Sequence, residues 1–318
     1  MSVKIASGCA MEKSKERVTL GIVFILLSAL GFALNQACSQ ALGSRVSVFQ
    51  KMFLHNLVGV VLFGAILLRK RMPPFGRSVR LMTMRGVFGF LSTLLVVFAT
   101  TYTSRPLFEI SLLTSTSAIF TMIVAALWLK EKIQPYQIAV IAVCFGGVVI
   151  TVRPSPALLT DPWCLFAVAG AAFGGGAYCV VRKLRDYANP TQVVFCYGLI
   201  SCVCSLPFFL KELLVDGSAL ASGRDLVILL GMGIAAYAGQ LFLNLGYQCA
   251  EASRLSPYSY VQNVYSLLIT LFIFQQSVPV WSYVGAVLII GGSYYNMLRS
   301  RRDAAKSEET QKEAVCHG

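Results

Sequence analysis

The chain has 318 residues, 56% of them hydrophobic and 13% charged, with a net charge of +13, and too little of it is polar to dress a water-soluble globular domain. Two histidines and ten cysteines with no CxxC pair exclude the usual metal-site spacings. No metal and no other cofactor is expected.

In chain order, residues 1–17 form a basic N-terminal segment carrying Lys4, Lys13, Lys15 and Arg17. Ten apolar runs follow, approximately Val18–Leu42, Val48–Leu68, Leu81–Thr101, Leu107–Leu129, Tyr136–Val152, Pro162–Val181, Thr191–Leu210, Leu226–Gln248, Leu255–Phe274 and Val280–Leu298. A helix needs roughly 20 apolar residues to cross a ~30 Å hydrocarbon core, and in lipid each segment must satisfy its own backbone polar groups. The predicted fold class is therefore all-α, a polytopic membrane protein with ten transmembrane helices. The first run reads as an uncleaved span, because it exceeds an ordinary signal-peptide core and Asn35 and Gln36 spoil the cleavage pattern. Residues 299–318 read as a charged cytoplasmic tail without order.

The basic charge alternates with the loops. With the N-terminus cytoplasmic, all of the 27 Lys and Arg except Arg45, Lys51, Arg105, Arg153, Lys211 and Arg224 fall on the cytoplasmic side or at its border. This is the positive-inside bias of an even number of spans with both termini cytoplasmic. The basicity thus reports topology and a lipid-bilayer partner, and no nucleic-acid partner is expected. Arg85, at the cytoplasmic border of the third run, reads as a headgroup anchor. A bacterial inner membrane is the default location.

A shift of 145 positions lays the fourth and fifth runs on the ninth and tenth. Tyr102 falls on Tyr247, Ser111 on Ser256, Thr121 on Ser266, and Gly146-Gly147 on Gly291-Gly292. A shift of about 143 lays Gly31 on Gly174 and Asn35 on Tyr178. The predicted organisation is two five-helix halves, residues 18–153 and 162–298. Five spans is an odd number, so the halves enter the membrane in opposite senses, a recurrent design among secondary transporters.

Three stretches carry a family likeness: RGVFGF from Arg85; LKEKIQPYQIAVIAVCFGGVVITVRP over Leu129–Pro154; and AGQLFLNLGYQCAEASRLSPYSYVQNVYSLL over Ala238–Leu268. In them the chain resembles the ten-span EamA-type members of the drug/metabolite transporter superfamily, from about Val18 to Leu298. The resemblance implies a transporter, and export as its direction. It also implies that the first, third, fourth, sixth, eighth and ninth spans line a central cavity, which brings in Ser92, Thr93, Thr116 and Tyr178. One departure is that Gln275-Gln276 occupy the place where the second repeat of that family commonly has an acidic residue, the counterpart of Glu131.

Polar residues spaced along a helical face mark a cavity within lipid. The eighth run offers Tyr237, Gln240, Asn244 and Gln248, the ninth Tyr258, Gln262 and Tyr265, and the first Ser28, Asn35, Gln36, Ser39 and Gln40. Candidate substrate-binding residues are therefore Asn35, Gln36, Tyr178, Tyr237, Gln240, Asn244, Tyr258 and Gln262, with bridging between helices as the alternative role for each. Neutral groups of this kind suit a small organic solute better than a bare ion. Charges within runs suggest gates or coupling sites: Glu109 with Lys51 or His55 at the outer mouth, and Arg254, onto which Glu109 maps. Snorkelling of Lys51 and a helix-contact role for His55 are the alternatives.

The expected function is secondary transport of a small polar or amphipathic metabolite by alternating access, in the export direction, with proton or counter-substrate coupling. Uptake or exchange of a nucleotide-like or sulfonium metabolite is the second reading. A membrane-embedded enzyme would need a catalytic cluster beyond Glu109, and a channel would need charge rings or a filter loop. A non-transporting scaffold is a further alternative. Composition does not address the oligomeric state.

Overall fold

The computed structural model describes residues 2–102, 113–152, 162–214, 222–275 and 280–316, and for 2–17, 44, 100–102, 151–152, 300–301 and 303–316 it describes the backbone alone. Its helices are α1 Ser2–Leu42, α2 Val48–Arg69, α3 Val79–Tyr102, α4 Ser117–Trp128, α5 Pro135–Val152, α6 Pro162–Lys183, α7 Pro190–Leu214, α8 Gly223–Cys249, α9 Val261–Phe272 and α10 Val280–Cys316. A helical turn, Ala252–Leu255, and a 3-10 stretch, Ser256–Tyr260, lead into α9. No strand occurs among the described residues.

Six helices, α1, α2, α3, α6, α7 and α8, contain segments long and apolar enough to cross a membrane, and two shorter apolar segments, Leu113–Trp128 and Pro135–Ile150, cover α4 and α5. Their outward faces carry Val61 at 61%, Leu165 at 72% and Val227 at 67% exposure. Apolar surface of that extent is stable against lipid tails and not against water.

Helix ends follow local chemistry. Ser47 caps α2, its hydroxyl accepting from Gln50 N at 3.1 Å, and Ser222 caps α8, accepting from Asp225 N at 3.4 Å. Beyond α4 and α9 the chain turns through left-handed residues, Lys130 at φ 55° and Gln275 at φ 51°. Helix α7 contains Pro207 and continues past it to Leu214. The C-terminal tail, expected to lack order, continues α10 to Cys316. Its Ala, Glu, Lys, Arg and Gln residues are good helix formers, which accounts for the extension.

Packing pairs the helices in an exchanging pattern. Helix α1 lies along α8 and α6 along α3, while α4 packs on α6 and α9 on α1. Helix α2 pairs with α7, and α5 with α10. Glycines sit where backbones approach. A Cβ at Gly31 would stand 2.8 Å from Ala235 O and 2.8 Å from Gly239 Cα on α8. In each glycine pair of α5 and α10 only the second member is a contact. A Cβ on Gly147 would meet Gly285 O at 2.8 Å and one on Gly292 would meet Cys144 Sγ at 2.7 Å, whereas Gly146 and Gly291 face open space.

The largest buried cluster seals one end of the bundle. It joins Ile22, Met82, Val181, Leu184, Ala252, Leu255 and Tyr258. Glu131 belongs to the same end. Its carboxylate accepts from Ala252 N at 3.2 Å and Ser253 N at 3.0 Å and pairs with Arg182 Nε at 3.6 Å. Glu131 thus caps the turn that leads into α9.

Candidate functional site

Above the sealed end lies a cavity of about 590 Å³ whose wall runs up to Gly43, Val46 and Ser47 in the α1–α2 connection. Gln40 and Gly43, at that upper limit, are exposed, so the mouth is there. The helix ends that frame it are tied by Arg45 to Asp225 at 3.4 Å and by a short hydrogen bond from the Ser47 hydroxyl to Glu212.

Helices α1, α2, α3, α4, α6, α8 and α9 all contribute to the wall. Helix α1 runs the height of the cavity, placing Ser28, Asn35, Gln36, Ser39 and Gln40 along it at roughly helical spacing. Asn35 donates from Nδ2 to Met232 O at 3.2 Å. Tyr178 and Tyr247 stack on each other, centroids 5.3 Å apart. Asn263 and Ser115 exchange hydrogen bonds at 2.9 and 3.3 Å beside Gln262.

Of the residues proposed from sequence to bind substrate, Asn35, Gln36, Tyr178, Gln240 and Gln262 are on the cavity wall, and Tyr237, Asn244 and Tyr258 are not. Tyr237 is 1% exposed and donates its hydroxyl to Asn56 Oδ1 at 2.8 Å, against α2. Asn244 donates back to Gln240 O at 2.7 Å within its own helix. Tyr258 is buried in the sealing cluster. The i, i+3, i+7 arc of α8 is wider than the cavity, and only Gln240 at its centre reaches the space. Thr116 is likewise off the wall, whereas Ser92 and Thr93 line it.

Among the residues proposed as gates, Lys51 and His55 line the cavity. Lys51 Nζ donates to Gly43 O at 2.5 Å, and His55 Nδ1 is 2.8 Å from Lys51 O, so this nitrogen carries the proton. Arg254 is away from the cavity, paired with Glu251. Glu109 lies outside the described residues, and the proposed pairing with Lys51 or His55 falls there with it.

The sequence reading missed the residue with the strongest chemistry. Arg85 is 1% exposed and lines the cavity, with Nη2 donating to Gln240 Oε1 at 2.8 Å and Cζ 4.9 Å from the Tyr197 ring centroid. It is therefore no headgroup anchor. Counting it with the basic residues of the cytoplasmic border hid it. The signal was Gly89 one turn on, where a Cβ would sit 2.3 Å from Arg85 Nη1, so the glycine makes room for the guanidinium to lie along the helix.

Tyr237 yields a test of wall against cavity. Tyr237→Phe strands Asn56 Oδ1 and is expected to lower unfolding stability by about 1–2 kcal/mol while leaving solute affinity unchanged. Thermal unfolding and binding of the same preparation check both parts, and an affinity loss without destabilisation would contradict the placement.

Comparison with known proteins agrees with this architecture. A solved crystal structure superposes with a TM-score of 0.74 at 18% identity, covering 89% of this chain and 98% of the other. The S-adenosylmethionine uptake transporter of Rickettsia felis is 25% identical over 95% of this chain and all of its own length, 100%. The pseudopaline exporter CntI of Pseudomonas aeruginosa is 21% identical over 77% of this chain and 84% of its own. Human solute carrier family 35 member G1 is 24% identical over 86% and 77%. The model of the EamA-like transporter family matches twice, over residues 19–153 and 161–298. With that match spanning nearly all of the helical bundle, the chain belongs to the EamA-like transporter family and is an integral membrane transporter of small molecules.

Proposed function

We propose that the chain is a secondary carrier of ten transmembrane helices, two inverted five-helix repeats over residues 18–153 and 162–298, that moves a small polar or amphipathic metabolite by alternating access. The observation that carries this is the central cavity, lined by polar and apolar side chains together, open at the α1–α2 connection and closed by the Glu131 end. The exchanging helix pairs, the twofold family match and the paired left-handed turns at Lys130 and Gln275 support the repeat. If the basic end is cytoplasmic, the cavity faces outward. Both termini are then cytoplasmic, and we place the protein in a bacterial inner membrane.

Export is the proposed direction, with a proton or counter-substrate as the coupling partner. Uptake or exchange of a sulfonium or nucleotide-like metabolite is the second reading, favoured by the full-length match to an S-adenosylmethionine uptake transporter. Counterflow in proteoliposomes tests the carrier: preloaded unlabelled solute should drive transient accumulation of labelled solute. Gln36→Ala and Gln262→Ala should weaken the response and lipid-facing Leu165→Ala should not. Flux in oriented vesicles under imposed gradients then separates export from uptake. Binding without counterflow would refute the carrier.

A further inference from the structure

We propose that Arg85 is the anion-recognition residue of the cavity and that the transported solute carries a carboxylate, which accepts hydrogen bonds from this guanidinium. The inference rests on the carrier reading and narrows it to a substrate class.

The argument begins with a charge imbalance. A guanidinium stays protonated at any physiological pH, and a charge buried without a partner inside a membrane protein is costly. Arg85 is 1% exposed, yet its two neighbours in the structure, the Gln240 amide oxygen and the Tyr197 ring, are neutral. Nε and Nη1 have no hydrogen-bond partner among the described residues. The described cavity wall contains no Asp or Glu. Carboxylates elsewhere among the described residues pair with other groups: Glu131 with Arg182, Glu212 with Ser47, Asp225 with Arg45 and Glu251 with Arg254.

The environment holds this cation in place instead of neutralising it. Gln240 fixes one nitrogen, the Tyr197 face attracts the charge, and Gly89 leaves the space that the guanidinium fills. Arg85 lines the cavity, and its guanidinium carries more N–H groups than Gln240 accepts, so it is an anchored donor of the kind that a ligand anion requires. Lys51, the second cation on the wall, stands higher, near the mouth, with its ammonium on Gly43 O. A solute drawn past Lys51 meets a second, fixed positive charge at depth.

Charge count selects carboxylate over phosphate. One guanidinium balances one negative charge. A phosphate monoester carries about −1.5 to −2 at neutral pH and would leave an excess buried where the described wall offers no further cation at depth.

The same imbalance distinguishes a binding role from a structural one. Removing an unpaired buried charge relieves desolvation, so Arg85→Met is expected to leave the unfolding temperature of the ligand-free protein unchanged or raised. The full chain in proteoliposomes is then given a defined equimolar mixture of amino acids, their amides, mono- and dicarboxylates, nucleosides, nucleotides and quaternary amines, and the solutes that exchange are identified by mass spectrometry. Wild type should exchange carboxylates and not the matched amides. Arg85→Met should lose that flux by about 10- to 100-fold, with Arg85→Lys retaining part of it. Exchange confined to solutes without a carboxylate, or undiminished in Arg85→Met, overturns the inference and leaves the carrier standing. No exchange of any solute overturns the carrier reading and the inference with it. Marked destabilisation of ligand-free Arg85→Met overturns the binding role in favour of a structural one.

Discussion

Glu131→Ala is expected to cost about 2–4 kcal/mol of unfolding free energy. The carboxylate, 9% exposed, accepts from the Ala252 and Ser253 backbone amides and faces Arg182, itself 19% exposed. Its removal strands two donors and a partly buried cation together. Glu131→Gln keeps an acceptor for one amide and loses the charge, and is expected to recover roughly half of the deficit. Thermal unfolding of the detergent-purified variants orders them as wild type, Gln, Ala. Equal stability of all three would show that water satisfies the turn.

The second large effect comes from adding atoms. Gly31→Val should destabilise by about 1–3 kcal/mol and impair transport, because the new Cβ meets backbone atoms of Ala235 and Gly239 at 2.8 Å, and backbone cannot rotate out of the way as a side chain does. Helices α1 and α8 must separate, and both carry cavity wall. Gly146→Val is the control: the same substitution in a position with no atom within 4 Å is expected to change stability by no more than a few tenths of a kcal/mol. The comparison is read from unfolding temperatures and counterflow rates. Equal losses at the two positions would mean that glycine backbone entropy, and not helix approach, sets the cost.

These two glycines show where sequence reading stops. The pairs Gly146-Gly147 and Gly291-Gly292 are visible as a repeated motif, yet which member meets the partner helix depends on rotation about the helix axis, and two adjacent small residues in an apolar run leave that phase undefined. The helical class and the six long spans are legible because bilayer thickness dictates their length. Polar stripes are legible as stripes, and α1 does line the cavity as its spacing suggests. On α8 the stripe divides: Gln240 reaches the space, while Tyr237 and Asn244 meet neighbouring structure. Periodicity gives a direction for a side chain and says nothing of how wide the opening opposite it is. Arg85 was obscured for another reason. Counting basic residues by loop assumes that each reaches a headgroup, and a residue just inside a helix start can point along the helix into the protein instead.

The left-handed residues after α4 and α9 have a practical consequence for anyone purifying this protein. Lys130 and Gln275 hold φ near +50° with a side chain attached, a conformation that disfavours L-residues by about 1–2 kcal/mol and that glycine adopts without steric strain, a gain larger than its extra folding entropy of about 0.5–1 kcal/mol. The two turns lie in separate connections and away from the cavity wall, so glycine at both positions is a route to a more heat-resistant sample for crystallisation that leaves the transport chemistry untouched.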